Sequence, residues 1–255
     1  MRFSNHVAIV TGAASGLGRG TALALASEGA KVGCVDVNES GLAQVAKDIR
    51  SAGGTALAAP ADVSKSAQVA RAVAAVRGEF GAIDVLINVA GGALVKSAHL
   101  TTDDEWRDCL ERNLTGTFLF CREVLPIMMK QGRGVIVNVA SSLARVAAPD
   151  FAAYSAAKAG IVGLTRQLAR DYGPDIRINS VSPGAIDTPS VRRAIEASPD
   201  PAATEREIAN GNSIVRRLAT VEEIVELILF VASDSARFMF GHDLVACGGQ
   251  SVVAY

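Results

Sequence analysis

The stretch Val7-Ala8-Ile9-Val10-Thr11-Gly12-Ala13-Ala14-Ser15-Gly16-Leu17-Gly18 decides the fold. Val7 to Val10 are four apolar residues in a row without polar alternation. That is the pattern of a strand covered on both faces. Thr11 leads into a glycine-rich turn, and an alanine-rich helix is predicted over Leu17–Gly29. Such a turn lets a pyrophosphate approach the first amides of a helix, where free N–H groups and the helix dipole favour an anion. The stretch predicts a dinucleotide site. The alternative is a plain strand-to-helix turn.

The same rhythm continues outward. Strands are predicted over Lys31–Asp36, Thr55–Pro60, Ile83–Asn88, Val135–Ala140 and Arg177–Val181. Helices are predicted between them over Ser40–Ala52, Ser66–Phe80, Asp103–Gln131 and Ala152–Tyr172. Helix Val221–Ala232 and a strand near Leu244–Ala246 close the chain. Alternation of this kind predicts βαβ units and a doubly wound parallel sheet of the α/β class. The 255 residues contain no linker, repeat or low-complexity tract, so the chain reads as one domain. Segment 188–211 breaks the rhythm: it is charged and punctuated by Pro189, Pro199 and Pro201. A long connection inside a compact domain is more often functional than idle, and this one is expected to be a substrate lid.

Composition removes several function classes. Net charge is −1 and no long basic run occurs, so nucleic acid is not an expected partner. Cys34, Cys109, Cys121 and Cys247 form neither a CxxC pair nor a metal-ligand cluster. They read as buried thiols of a reducing compartment. His6, His99 and His242 are scattered without metal-binding spacing, so no metal is expected. The opening MRFSNHVAIVTG lacks the apolar core of a signal peptide, and no stretch approaches the ~18 apolar residues of a membrane span. A cytoplasmic protein without membrane contact is expected.

Asp36 stands at the end of the second strand, close to the spacing of about 20 residues expected for a ribose-binding acid. A carboxylate there accepts the ribose hydroxyls and repels a 2′-phosphate. Val37 follows instead of a cation, and Ser15 is neutral. The cofactor read from these residues is NAD.

A second motif carries chemistry. Tyr154-Ser155-Ala156-Ala157-Lys158 places Tyr154 and Lys158 one turn apart on a helix face. A nearby ammonium lowers a phenol pKa and makes a tunable proton donor and acceptor. Alone the pattern is common on helix surfaces. Its context includes Ser141, just after strand Val135–Ala140, at the strand end where such sheets bind ligands. Ser141 is placed to donate to a reacting oxygen, with Ser142 the neighbouring candidate. In the long helix, Trp106, Leu110, Leu114, Thr117, Cys121 and Leu125 form an apolar stripe with Asn113 at its edge. Asn113 reads either as a satisfied core amide or as a member of the site.

Together these motifs resemble the short-chain dehydrogenase/reductase family, in its branch of about 250 residues. The resemblance runs from Thr11–Gly18 through Asp36, Asp62-Val63 and Asn88-Val89-Ala90-Gly91. It continues through Asn113, Ser141, Tyr154, Lys158 and Pro183-Gly184-Ala185-Ile186-Asp187-Thr188. It implies a Rossmann-type three-layer α/β/α sandwich. It implies Asn113, Ser141, Tyr154 and Lys158 as the catalytic set. Tyr154 would be the general acid/base and Ser141 would orient the substrate oxygen. Lys158 would bind the nicotinamide ribose and lower the tyrosine pKa, and Asn113 would hold a water in a proton relay. The implied cofactor contacts are Gly12, Ser15, Gly16, Leu17, Gly18, Asp36, Val37, Asp62, Val63, Asn88, Ala90, Gly91, Tyr154, Lys158, Pro183, Gly184, Ile186 and Thr188. A homotetramer, packed through the helices of Asn113 and Tyr154, is also implied. Val89 replaces the second asparagine of the family's usual NNAG.

The reading that follows is hydride transfer between NAD and a small secondary alcohol or ketone. Two alternatives stand beside it. One is a 3-oxoacyl-carrier-protein reductase, with Lys130, Arg133, Arg166 and Arg170 facing an acidic carrier. The other is a non-catalytic NAD(H)-sensing module. Leu143, Phe151 and segment 188–211 are expected to line the substrate pocket, because they flank the proposed catalytic residues. Arg145, Arg192 and Arg193 are either grips for a substrate carboxylate or ordinary solvent-facing or subunit-facing charges.

Overall fold

The computed structural model describes residues 1–210 and 214–252. Strand β1 (Val7–Thr11) is buried throughout and paired in parallel with β2 (Lys31–Val35) on one side and β4 (Val85–Asn88) on the other. Its unbroken apolar run reflects that position, with neighbours on both edges and helices over both faces. The remaining strands are β3 (Thr55–Ala58), β5 (Gly134–Val139), β6 (Ile176–Pro183) and β7 (Asp243–Ala246). The sheet order is β3-β2-β1-β4-β5-β6-β7, parallel throughout.

Helices α1 (Gly16–Ser27), α2 (Glu39–Ser51) and α9 (Val221–Ala232) cover one face. Helices α3 (Ser66–Phe80), α5 (Gly116–Gln131) and α6 (Ala152–Tyr172) cover the other. The result is a three-layer sandwich with an apolar core on each face. Buried Arg177 of β6 closes the C-terminal end of α9, donating to the carbonyls of Val231, Ala232 and Ser233. Those carbonyls have no partner inside the helix.

Three features depart from the sequence reading. The helix expected over Asp103–Gln131 is α4 (Asp103–Leu110), a π-helical segment Glu111–Thr115 and then α5. The bulge breaks the single helical period on which the apolar stripe was built. Thr117, Cys121 and Leu125 are buried, but Trp106 is 41% exposed. The connection 188–211 contains two helices, α7 (Pro189–Glu196) and α8 (Pro201–Asn210), and its last residue, Gly211, lies outside the described residues. Finally, Asp36 and Ala140 were expected to end their strands, but each falls one place beyond. Both therefore stand on the rim where the chain leaves the sheet.

No helix among the described residues is long and apolar enough to cross a membrane. Among them, no group of His, Cys, Asp and Glu is arranged to hold a metal ion.

Candidate active site

The carboxyl ends of β1, β2 and β4 open into a cleft of about 420 Å³. Its floor is the glycine turn. Gly12 has φ +68°, and a Cβ there would lie 3.0 Å from Ala90 Cα. A Cβ on Gly18 would run into the carbonyl oxygen of Gly12. The turn therefore closes only with hydrogen at both positions. Buried Thr11 ties it to the next strand end, its Oγ1 accepting from Val89 N and Ala90 N, each at 3.0 Å. Ser15 stands at the N-cap of α1 without a side-chain capping bond, and the first turn contains no acid. The first amides of α1 are thus left for an outside anion. This cradle fits the phosphates of a dinucleotide.

Asp36 lines the same cleft. It is held by two amides, Ala14 N to Oδ2 at 3.1 Å and Asn38 N to Oδ1 at 3.0 Å. Val37, Asp62 and Val63 line the adjoining wall, and Ala90, Gly91 and Thr188 complete the expected contacts found there. Thr188 is the N-cap of α7, accepting from Val191 N at 3.3 Å. Ala61, Val89 and Arg112 also line the cleft and were not expected, while Pro189, Ser190 and Arg193 belong to the segment 188–211 that was expected to line the pocket. Within that segment, a threonine followed by proline at Thr188-Pro189 marks a helix start.

Other expected contacts lie elsewhere. Asn88 is buried beneath the rim and donates to Asn138 Oδ1 at 2.9 Å. Its Oδ1 finds no partner among the described residues. Asn88 therefore knits β4 to β5 instead of facing the cleft. Pro183 pairs with Ala246 within the sheet. Gly184 abuts the Cys247 backbone, and Ile186 is buried.

The proposed catalytic set gathers at the ends of β4 and β5. Lys158 is buried and donates to Val139 O at 2.9 Å. Its Nζ lies 5.5 Å from the centre of the Tyr154 ring. Burial pulls the Lys158 ammonium down to about 8. Burial pushes the Tyr154 phenol up to about 12, opposed by a hydrogen bond with Ser141. Tyr154 is partly exposed as a residue, so the push is felt at its inner, hydroxyl end. The ammonium sits over the ring face, and burial is the largest cause of the shift in both groups.

Ser141 is buried and also accepts from Leu143 N at 3.2 Å. Ser142 is turned away, donating to Gln250 Oε1 at 2.7 Å. That separates the two serine candidates. Asn113 sits inside the π-helical segment, fully buried. Its Nδ2 donates to Cys109 O at 2.8 Å and Gly92 O at 3.0 Å, and its Oδ1 accepts from Gly92 N at 3.2 Å. A Cβ on Gly91 would collide with Asn113 Oδ1 and come within 3.7 Å of Lys158 Nζ. Gly91, Asn113 and Lys158 therefore meet at one point, with the Asn113 amide satisfied there.

Two of the three candidate carboxylate grips are engaged internally. Arg145 Nε binds buried Asp243 at 2.8 Å. Arg192 binds Asp187 and Glu205, each at 2.6 Å, joining α7 to α8. Arg193, its neighbour, lines the cleft.

Comparison with known proteins matches a family model described as "Enoyl-(Acyl carrier protein) reductase" over residues 12–251. The chain is 38% identical over 252 residues to D-threitol dehydrogenase of Mycolicibacterium smegmatis, covering 98% of this chain and 95% of that protein. It is 42% identical over 259 residues to cis-4-hydroxycyclohexanecarboxylate dehydrogenase of Sinomonas cyclohexanicum, covering 98% of each. The crystal structure of levodione reductase superimposes with a TM-score of 0.94 at 36% identity, covering 99% of this chain and 100% of that one.

Proposed function

Since the chain belongs to the short-chain dehydrogenase/reductase family and is an oxidoreductase, we propose that it moves a hydride between NAD and a secondary alcohol or ketone, with Tyr154 as general acid/base. The observation that carries this reading is the convergence of Ser141, Tyr154, Lys158 and Asn113 beside the glycine-floored cleft. Two similar proteins are named for a small polyol and a hydroxylated ring acid. Both are secondary alcohols, so a hydroxyl on a small polyol or an alicyclic ring is the proposed substrate.

The glycine turn and the N-terminus of α1 would hold the phosphates, and Asp36 the adenosine ribose. The nicotinamide, when bound, supplies the hydride acceptor for oxidation and the donor for reduction. In oxidation Tyr154 Oη takes the hydroxyl proton, and in reduction it returns it. Ser141 Oγ, whose influence draws the Tyr154 phenol back down, orients the reacting oxygen. Lys158 supplies positive charge behind the ring and keeps N–H donors beyond the one given to Val139. Asn113 fixes the backbone of Gly92 on the opposite wall. Assembly as a homotetramer belongs to the same proposal.

The test is NADH formation with a panel of polyols, cyclic alcohols and hydroxy acids, with NAD and NADP run side by side. Turnover with NAD on a secondary alcohol supports the reading. Tight NADH binding with no turnover on any class, repeated with ketones and NADH, would move it to a dinucleotide-sensing module.

A further inference from the structure

The cleft contains charge that the proposed mechanism leaves unused. Arg112, in the π-helical segment, and Arg193, in α7, both line it. Most arginines nearby are committed to carboxylates: Arg145 to Asp243, Arg192 to Asp187 and Glu205, and Arg217 to Glu223. Arg112 and Arg193 form no ion pair among the described residues, and Arg112 is bound only through Nε to Asp108 O at 3.3 Å. Both are exposed, so they stay hydrated until an anion arrives.

Their position along the cleft follows from the sheet order. Asp36 leaves β2, the glycine turn leaves β1, and Gly92 follows β4, so the glycine turn lies between the other two. Arg112 Nη1 is 3.9 Å from where a Gly92 Cβ would stand. Arg112 therefore stands over the loop that follows β4, whose Ala90 abuts Gly12 of the glycine turn. Arg193 arrives from the lid side. The lid meets the turn directly, because a Cβ on Gly16 would lie 3.4 Å from Thr188 Cβ at the N-cap of α7. A dinucleotide whose phosphates sit on the glycine turn would therefore lie in the cleft that both guanidiniums line.

We propose that Arg112 and Arg193 clamp the pyrophosphate of the bound dinucleotide, Arg193 doing so from the lid. This rests on the dinucleotide reading given above. A planar guanidinium matches phosphate oxygens bidentately, which a point charge does not. Arg192 locks α7 to α8, so the contact made by Arg193 carries both lid helices with it. Binding the dinucleotide then also positions the segment that borders the substrate.

The experiment is calorimetric titration of the full chain and its Arg112→Gln, Arg193→Gln and double variants with ADP-ribose, NADH and adenosine. Each single variant is expected to weaken ADP-ribose and NADH about tenfold, as for loss of a charge-assisted contact, and the double variant more. Adenosine, which has no phosphate, should bind all forms equally. Arg193→Lys should recover part of the loss, and matching thermal melts should show each variant folded. Unchanged ADP-ribose affinity in both single variants overturns the clamp while leaving the dinucleotide reading intact. So does an equal loss for adenosine, which marks distortion of the cleft. If the unaltered chain binds neither ADP-ribose nor NADH, the dinucleotide reading falls, and the clamp with it.

Discussion

Lys158 Nζ donates to the carbonyl oxygen of Val139 at 2.9 Å, and Val139 is the last residue of β5. Ser141 follows two positions later, so one strand end orients both the lysine and the serine. Burial holds the ammonium near about 8, below its ordinary 10.5. The folded protein therefore disfavours this proton. The associated cost is present below about 8 and is relieved as pH rises toward the unfolded value. Lys158→Met should leave thermal stability at neutral pH unchanged or higher. It should lower turnover by about 100-fold, because positive charge is lost behind the phenolate. In the unaltered enzyme the rise of the oxidation rate with pH should become shallower above about 8, where the lysine loses its charge. A pH profile of kcat/KM for both proteins checks this. A variant that keeps its turnover and its bend would exclude the role.

Burial holds the Tyr154 phenol up to about 12, while its bond with Ser141 pulls it back. If, as proposed, phenolate is the base in oxidation, oxidation should rise toward alkaline pH, whereas reduction would use the protonated form and should fall there. Tyr154→Phe should abolish turnover by about 100-fold or more while NADH still binds. Ser141→Ala removes the opposing hydrogen bond and should move the alkaline limb of oxidation upward. NADH titration beside the rate assay separates binding from chemistry. Substantial turnover in Tyr154→Phe would remove Tyr154 from its role.

Arg177 lies far from the cleft and tests the frame instead. It bonds the last carbonyls of α9 from inside the sheet, to Ala232 O at 3.0 Å and Ser233 O at 2.8 Å. Arg177→Met would leave buried carbonyls unpaired at a helix end. Unfolding in urea should show a loss of about 3 kcal/mol. A loss within experimental error would mean that water replaces the guanidinium there.

The sheet was legible because buried parallel strands carry continuous apolar runs, as Val7–Val10 does, and because turn glycines punctuate them. Tyr154, Lys158 and Ser141 were legible by spacing on a helix and at a strand end. The π-helical segment was not. One inserted residue does not announce itself in a 3.6-residue pattern, and it moved Trp106 out of the expected stripe. Helices α7 and α8 hid behind their prolines, although Thr188-Pro189 and Asp200-Pro201 are helix starts. Thr188 accepts from Val191 N, and Asp200 Oδ1 accepts from Ala203 N at 2.9 Å. Arg112 becomes a neighbour of the cleft only through folding, and no local pattern marks it, whereas Arg193 lies in the segment already expected to border the site.

The proposed choice of NAD rests on Asp36. Its two oxygens are each fixed by an amide, Ala14 N and Asn38 N, which aim the carboxylate and leave its other lone pairs toward the cleft. Val37 beside it is 67% exposed and brings no cation. A 2′-phosphate placed against this carboxylate meets like charge and desolvation together. Asp36→Ala should relax the preference for NAD over NADP by about tenfold or more, equivalent to about 1.4 kcal/mol. It also removes the acceptor of two amides, so loosening of the turn would contribute. Asp36→Asn keeps an acceptor oxygen and removes only the charge. If charge repulsion sets the preference, the asparagine variant should gain NADP affinity with an unchanged melt. Competitive titrations of both variants with NAD and NADP decide between the causes. A strong NAD preference that survives in Asp36→Asn would assign the discrimination to the shape of the turn, not to the carboxylate.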